Sequence, residues 1–266
     1  MIRKLTEQDR DFVLEYLYKD LNYNIFPIGD IETYGFNNPI QVIYGEFDNN
    51  DNYLSIFLRY RNNGIYYSHK KRFNKEFLEI FKKEKFDFFS GKSELTDLIK
   101  PYLKNFNPQR EYFCKADKIN YSKEINDSFI KELRNEEDCG RLYDLLFQVK
   151  EFQIFRQTKE SFVKGKMASL KMGKTLYIEE DNKIVASVAV TAETTINAMV
   201  VAVATDPDYR NRGYATSLLV KLMKIYIEEK KKELCLFYDN PKAGKIYLRL
   251  GFKNIGTWDL YRRKIT

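Results

Sequence analysis

The sequence predicts an α/β (α+β) chain of two domains, each a mixed, mostly antiparallel sheet flanked by helices. Three observations predict it. The 266 residues exceed the ~100–150 of a typical domain and suit a pair. Short apolar runs bounded by turn signals alternate with amphipathic stretches of helical period. The two halves also open alike. Met1-Ile2-Arg3-Lys4-Leu5 runs into Phe12, Val13, Tyr16 and Leu17, and Phe129-Ile130-Lys131-Glu132-Leu133 runs into Leu142, Leu145 and Leu146. At one constant offset Ile2 meets Ile130, Leu5 meets Leu133, Leu14 meets Leu142 and Leu17 meets Leu145. A repeat of about half the chain points to duplication. The polar stretch DKINYSKEIND, Asp117 to Asp127, is the candidate linker, so the expected domains are 1–118 and 129–266 joined by 119–128.

In the first half, Val42–Phe47 and Tyr53–Tyr60 read as strands around the turn Asp48-Asn49-Asn50-Asp51-Asn52. Gly64–Tyr67 reads as a third strand, and Lys75–Glu84 as a helix with Phe77, Ile80 and Phe81 on one face. Leu95–Leu103 is a candidate short helix entered through Ser93, and Glu111–Lys115 a closing strand. In the second half, Thr175–Glu180 and Ile184–Val190 flank the turn Asp181-Asn182-Lys183. Ala198–Thr205, apolar on both faces, is expected to be a central strand ending at Asp206-Pro207. A long helix follows through Ala215, Leu218, Leu219, Leu222, Ile225 and Tyr226, and ends in Lys230-Lys231-Lys232. Then come a strand over Glu233–Tyr238, a helix over Pro241–Leu250 stopped by Gly251, and a last strand from Phe252.

Composition excludes several function classes. The longest apolar run, Ala198 to Ala204, is seven residues, against the ~20 of a membrane helix. MIRKLTEQDR lacks an apolar secretory core, so a cytoplasmic protein is expected. The three cysteines, Cys114, Cys139 and Cys235, form no metal or disulfide framework. The single histidine, His69, lies in the polar run Ser68-His69-Lys70-Lys71-Arg72 and reads as a solvated loop residue. No metal site is expected, and catalysis without imidazole. Residues 1–125 carry 20 basic and 19 acidic side chains, and residues 126–266 carry 25 and 19. The surplus of the second half suits an anionic partner, either a phosphorylated cofactor or nucleic acid. No nucleic-acid motif is present, so nucleic acid is not the expected partner. Abundant Lys, Asn, Ile and Tyr suggest an AT-rich, bacterial genome.

Chemistry concentrates where the apolar strand breaks at Asp206-Pro207 and Tyr209-Arg210-Asn211-Arg212-Gly213-Tyr214-Ala215 opens the long helix. A helix start presents unpartnered N–H groups and a partial positive charge. Gly213 and Ala215 leave room for a close phosphate approach, and Arg210 and Arg212 add guanidinium donors. The expected ligand group is a pyrophosphate. The Walker pattern and the GxGxxG fingerprint are both absent.

With R-x-x-G-x-A at Arg210 to Ala215 after Val203-Ala204-Thr205-Asp206-Pro207, and Asn240-Pro241-Lys242-Ala243, Tyr247 and Gly251-Phe252 downstream, the chain resembles the GCN5-related N-acetyltransferase (GNAT) superfamily over about residues 129–262. The resemblance implies two GNAT-like domains and acetyl-CoA as cosubstrate. It implies backbone pairing of Val203, Ala204 and Thr205 with the pantetheine arm. N–H groups from Asn211, Arg212, Gly213, Tyr214, Ala215 and Thr216 would hold the pyrophosphate. Asn240 would bond the cofactor arm, Lys245 would approach a phosphate, and Tyr247 would be general acid to the leaving thiolate. Glu193 is the one nearby carboxylate to name as general base, with a water chain as the other route. Phe152, Phe155 and Phe162 are candidates to line an acceptor cleft, with core packing as the commoner reading. The first domain has no R-x-x-G-x-A equivalent and is expected to bind no acetyl-CoA. The expected activity is acetyl transfer to a primary amine, by a monomer or homodimer. The alternative is a non-catalytic acyl-CoA-binding or regulatory module.

Overall fold

The computed structural model describes residues 1–149 and 157–264. In chain order its elements are β1 (Ile2–Lys4), α1 (Arg10–Tyr18), α2 (Ile25–Tyr34), β2 (Gln41–Phe47), β3 (Tyr53–Tyr60), β4 (Asn63–Tyr67), α3 (Phe77–Glu84), β5 (Phe88–Lys92), α4 (Ser93–Ile99) and β6 (Phe106–Ala116). Then follow β7 (Ile130–Glu132), α5 (Glu136–Gln148), α6 (Lys159–Ser169), β8 (Thr175–Glu180), β9 (Lys183–Thr191), β10 (Asn197–Thr205), α7 (Tyr214–Met223), β11 (Glu233–Tyr238), α8 (Pro241–Leu250) and β12 (Lys253–Arg263). They form two compact units, Met1–Phe113 with Ile255–Thr266, and Cys114–Asn254.

Within the first unit the strand order is β1-β2-β3-β4-β5-β12-β6, and within the second β7-β8-β9-β10-β11 followed by the end of β6. In each, the first four strands pair antiparallel and the fourth pairs parallel with the fifth. The mixed, mostly antiparallel fold class is therefore as expected. β1 and β7, Ile2–Lys4 and Ile130–Glu132, open their units in the register at which the sequence repeats. The last strands break that simple repetition. β12 follows β11 in the chain yet pairs with β5, from Trp258 opposite Lys92 to Arg262 opposite Phe88. Cys114–Ala116 at the end of β6 belongs to the second unit, where the Cys114 thiol donates to the Leu236 carbonyl at 3.7 Å. The C-terminal strand, expected with residues 129–254, thus contributes Trp258 and Tyr261 to the core of the first unit.

Local chemistry accounts for the elements that carry the site. The β8–β9 hairpin turns through Asp181 (φ 50°) and Asn182 (φ 62°), residue types that tolerate the left-handed region. α7 buries Leu218, Leu219, Leu222 and Met223 completely, each stabilising by about 1.5–3 kcal/mol. Its expected run through Tyr226 exists, but beyond Met223 it widens into a π-helix over Lys224–Glu229 that turns Tyr226 inward. α8 is capped by Asn240, has Pro241 in its first turn and stops at Gly251 (φ 111°). The stretch 117–127 has no regular structure, and Ile119, Tyr121 and Ile125 pack on the second-unit core. Among the described residues no helix is long and apolar enough to cross a membrane.

Candidate functional site

β10 and β11 pair in parallel only from Asn197 opposite Glu233 to Val200 opposite Leu236. Beyond that point β10 continues through Val201–Thr205 without a partner on that side, while on the other side Ala204 and Thr205 pair with Ser187 and Ala186 of β9. A β-bulge between Val201 and Ala204 bends the strand there. Ala202 sits at φ 53°, and its carbonyl accepts from the Ser187 hydroxyl at 3.0 Å. Val203, Ala204 and Thr205 therefore lie on the free edge that an extended ligand arm would pair with.

The strand leads into a short 3-10 turn, Pro207–Tyr209, capped by the Asp206 side chain, which accepts from the Asp208 N–H. Burial raises the Asp206 pKa, but the paired Lys183 ammonium outweighs it and holds the carboxyl below its ordinary range. Asn211 (φ 65°) and Gly213 (φ 85°) then reverse the chain into α7. Gly213 is the N-cap residue and offers no side chain to the N–H groups behind it. A Cβ built on Gly213 meets nothing within 4 Å. The start of α7 is thus an open set of amide donors at the positive end of a helix. Arg210 donates from Nε to the Thr205 carbonyl at 3.2 Å, and Arg212 donates from Nη1 to Glu180 at 3.2 Å. The Tyr214 hydroxyl also hydrogen-bonds Glu180.

α8 supplies the remaining residues. Asn240 uses its side-chain oxygen to accept the Lys242 N–H at 2.9 Å, so its first duty is as a helix cap. Gly244 lets the Tyr238 ring approach to a place where any Cβ would lie 2.4 Å from it. Tyr238 in turn packs 5.7 Å from the Tyr247 ring, and Phe252 closes the other side at 6.1 Å. Burial, with the Cys114 thiol adding to it, pushes the Tyr247 hydroxyl above the ordinary tyrosine value. It is a phenol that keeps its proton. Lys245 is exposed on α8.

One residue that sequence reasoning passed over belongs to the same constellation. Arg249 donates from Nη2 to the Thr216 hydroxyl at 3.1 Å, which brings a second guanidinium to the start of α7. Its i, i+4 spacing from Lys245 places both cations on one face of α8, and that signal was available in the sequence.

Glu193 is not brought to this site. Its carboxylate accepts from Tyr226 at 3.1 Å and from Lys230 and Lys232 at 2.8 Å each. Burial raises its pKa, yet the two ammonium groups outweigh that and lower it. It precedes the Asn197 end of β10, whereas the open turn follows the Thr205 end, and the strand between spans about 26 Å at ~3.3 Å per residue. A carboxylate fixed there between two lysines is a poor proton acceptor. Phe162 packs against Tyr143 at 5.5 Å and borders the α5–α6 core, while Phe152 and Phe155 fall outside the described residues. Among the described residues no cluster of His, Cys, Asp and Glu could hold a metal ion.

Comparison with known proteins agrees with this geometry. Residues 137–252 match the Acetyltransferase (GNAT) family. No curated protein matches the sequence. Solved structures match at the level of fold. A Drosophila protein of 12% identity has a TM-score of 0.71, with 98% of each chain covered. A GCN5-related N-acetyltransferase from Sphaerobacter thermophilus has 14% identity and a TM-score of 0.65, covering 100% of this chain and 96% of that one. A tandem GNAT protein from the clavulanic acid biosynthesis pathway has 9% identity and a TM-score of 0.57, with 98% and 97% covered. Residues 137–252, which hold the bulged and half-paired β10 and the uncapped α7, are thus similar to the GNAT acetyltransferase family.

Proposed function

We propose that the chain is an acetyl-CoA-dependent N-acetyltransferase acting on a primary amine. The observation that carries this reading is the uncapped start of α7 behind Gly213, directly after the unpaired edge of β10. Amide donors at a helix start, with guanidinium groups beside them, suit the pyrophosphate of a CoA thioester. The free edge of Val203–Thr205 suits its amide-containing arm. Asn211–Thr216 would hold the phosphates, with Arg210, Arg212 and Arg249 supplying charge and Lys245 reaching from α8. The side-chain amide of Asn240 retains donors beyond its capping role and would reach the arm.

Bound acetyl-CoA supplies an acyl thioester open to direct attack by an amine. Tyr247 holds a proton at its hydroxyl, available to the sulfur that leaves. With Glu193 occupied by Lys230 and Lys232, the proton of the incoming ammonium is assigned to water. The first unit is proposed to be a degenerate copy of the same fold that binds no acetyl-CoA. In support, its strand order and strand polarities repeat those of the second unit, while its β4–α3 connection is closed by side chains.

Calorimetric titration with acetyl-CoA, CoA and ATP tests the reading. Acetyl-CoA and CoA are expected to bind at one site per chain, and ATP weakly. An amine screen for thiol release follows. Binding without thiol release for any amine class would favour the acyl-CoA-binding module, and no binding would remove the reading altogether.

A further inference from the structure

The turn that would hold the phosphates is poorly anchored by burial, since Pro207, Asp208 and Arg210–Gly213 are all exposed. A turn that binds through backbone amides must be ordered beforehand, because ordering it on binding costs ~1–2 kcal/mol per residue. Something outside the turn has to hold it.

We propose that the tip of the β8–β9 hairpin is the positioning element of this turn, with Glu180 and Lys183 as its two positioning residues. The inference rests on the acetyl-CoA reading for its purpose, but not for its geometry. Lys183 grips the entrance of the turn, its ammonium 2.5 Å from the Asp206 carboxylate. Asp206 is 1% exposed and caps the 3-10 turn, so this grip sits on a fixed point. Glu180 grips the exit, accepting from Arg212 and from the Tyr214 hydroxyl at the first position of α7. Between the two grips the Tyr209 ring takes both cations, with Arg212 Cζ at 4.7 Å and Lys183 Nζ at 5.8 Å from its centroid. The tip is itself braced from behind. Arg141 of α5 donates from Nη1 to the Asn182 carbonyl and to Glu179, each at 3.0 Å.

A carboxylate beside an anion site works against affinity by simple Coulomb repulsion. The place of Glu180 is therefore explained by geometry rather than attraction. When a phosphate arrives, Arg212 can exchange its carboxylate partner for phosphate oxygens, while Tyr214 stays on Glu180 and keeps the start of α7 in place. Glu180 is a positioning residue, acting through Arg212 and Tyr214.

The experiment compares Glu180→Ala with Glu180→Gln, which keeps an acceptor oxygen but loses the charge. Two measurements are made on the whole chain: trypsin cleavage after Arg210 and Arg212 in the free protein, followed by mass spectrometry, and calorimetric affinity for CoA. In Glu180→Ala, cleavage at these two sites is expected to rise about tenfold and CoA affinity to fall about tenfold, as loss of two hydrogen bonds on a local turn would give. In Glu180→Gln both are expected to stay within about twofold of the parent, because the acceptor is retained. Unchanged cleavage in Glu180→Ala overturns the proposal. So does faster cleavage at every Lys and Arg, which would mean general destabilisation, or Glu180→Gln behaving like Glu180→Ala. If the parent protein fails to bind CoA, the acetyl-CoA reading falls, and the cleavage pattern still decides the clamp.

Discussion

Two connections in this molecule occupy equivalent places, β4 to α3 in the first unit and β10 to α7 in the second, and they are built in opposite ways. The β4–α3 connection is drawn inward. Glu46 of β2, 2% exposed, accepts from Ser55 at 2.5 Å, from Asn74 at 2.9 Å and from Arg72. The Tyr66 hydroxyl donates to the Arg72 carbonyl at 2.9 Å, and Phe73 packs on Tyr66 at 5.3 Å. The Asn74 side chain accepts the Glu76 N–H at 3.0 Å, just ahead of α3. The β10–α7 connection is held at its two ends, by Lys183 on Asp206 and by Glu180 on Arg212 and Tyr214. Between those ends Gly213 gives α7 no side-chain cap, and Arg210–Gly213 are exposed. The parallel strands differ too. β4 runs two residues past its last pair with β5, to Tyr67, whereas β10 runs from Val201 to Thr205 past its last pair with β11. Side chains close the first connection along its length, whereas the start of α7 in the second has no side-chain cap. The same topology can thus carry a packed connection or an open one, and the proposed function uses the open one.

The largest way to break the comparison is to close the open turn. Gly213→Val forces a β-branched residue to φ 85° and puts carbon into the space where nothing lies within 4 Å. Acetyl-CoA affinity is expected to fall about 100-fold, from strain and obstruction together, measured by calorimetry. Unchanged affinity would move the cradle elsewhere. Tyr247→Phe is expected to reduce turnover by about 100-fold with cofactor affinity unchanged, the range for loss of a general acid. Because burial raises the Tyr247 pKa, its acid form persists throughout the neutral and mildly alkaline range. No loss of rate from its ionisation is expected below pH 10, and a falling limb there that disappears in Tyr247→Phe would contradict the packing described.

Opening the closed turn is the reciprocal test. Glu46→Ala leaves Arg72, Asn74 and Ser55 without their acceptor and is expected to destabilise by roughly 3 kcal/mol, since it breaks a buried charge network. Chemical denaturation reads this. Titration of the same variant should still show one acetyl-CoA per chain, because α3 has no glycine equivalent to Gly213. Arg249→Ala is milder, an expected loss of CoA affinity of about fivefold from one exposed guanidinium. A separate test is a pH dependence of the first unit. Burial pushes the half-buried Asp30 carboxyl up to about 7, above its unfolded value of about 4. Between these values the folded chain binds more protons than the unfolded one, so this group lowers stability as pH rises from 4 to 7. Asp30→Asn should match the parent at pH 4 and exceed it clearly at pH 8 in thermal melts, since the group costs about 1.4 kcal/mol per pH unit between the two values.

Much of the second unit was legible because its turns carry strong local chemistry. Asp181-Asn182-Lys183, Asp206-Pro207 and Gly251 fix the ends of β8, β10 and α8 to within a residue. The turn into α7 was legible for the same reason, since a glycine at a helix start is a local fact. In the first unit α2 escaped notice because Pro27 and Gly29 lie inside it, and tertiary burial of Ile25, Ile28 and Ile31 overrides their propensity. β5 escaped because Phe88–Lys92 is short and does not alternate. Leu95–Leu103 is helical only to Ile99, where Pro101 forces the remainder into a 3-10 turn. Glu193 illustrates the harder limit. Its fate is decided by Lys230 and Lys232, 37 and 39 residues away, and no local pattern reports such a pairing. Glu180 was invisible in the same way, 32 residues from Arg212.

The exchanged last strand has a consequence in time. Beside β4, β5 finds its second neighbour in β12, and the Ser93 hydroxyl reaches the buried Asp259 across 166 residues of chain. Pairings of such long sequence separation form late. During synthesis nearly all of the first unit is made before the second begins, yet its sheet keeps an unpaired edge at β5 until β12 has been made. The half of the chain that is translated first is therefore the half that finishes folding last.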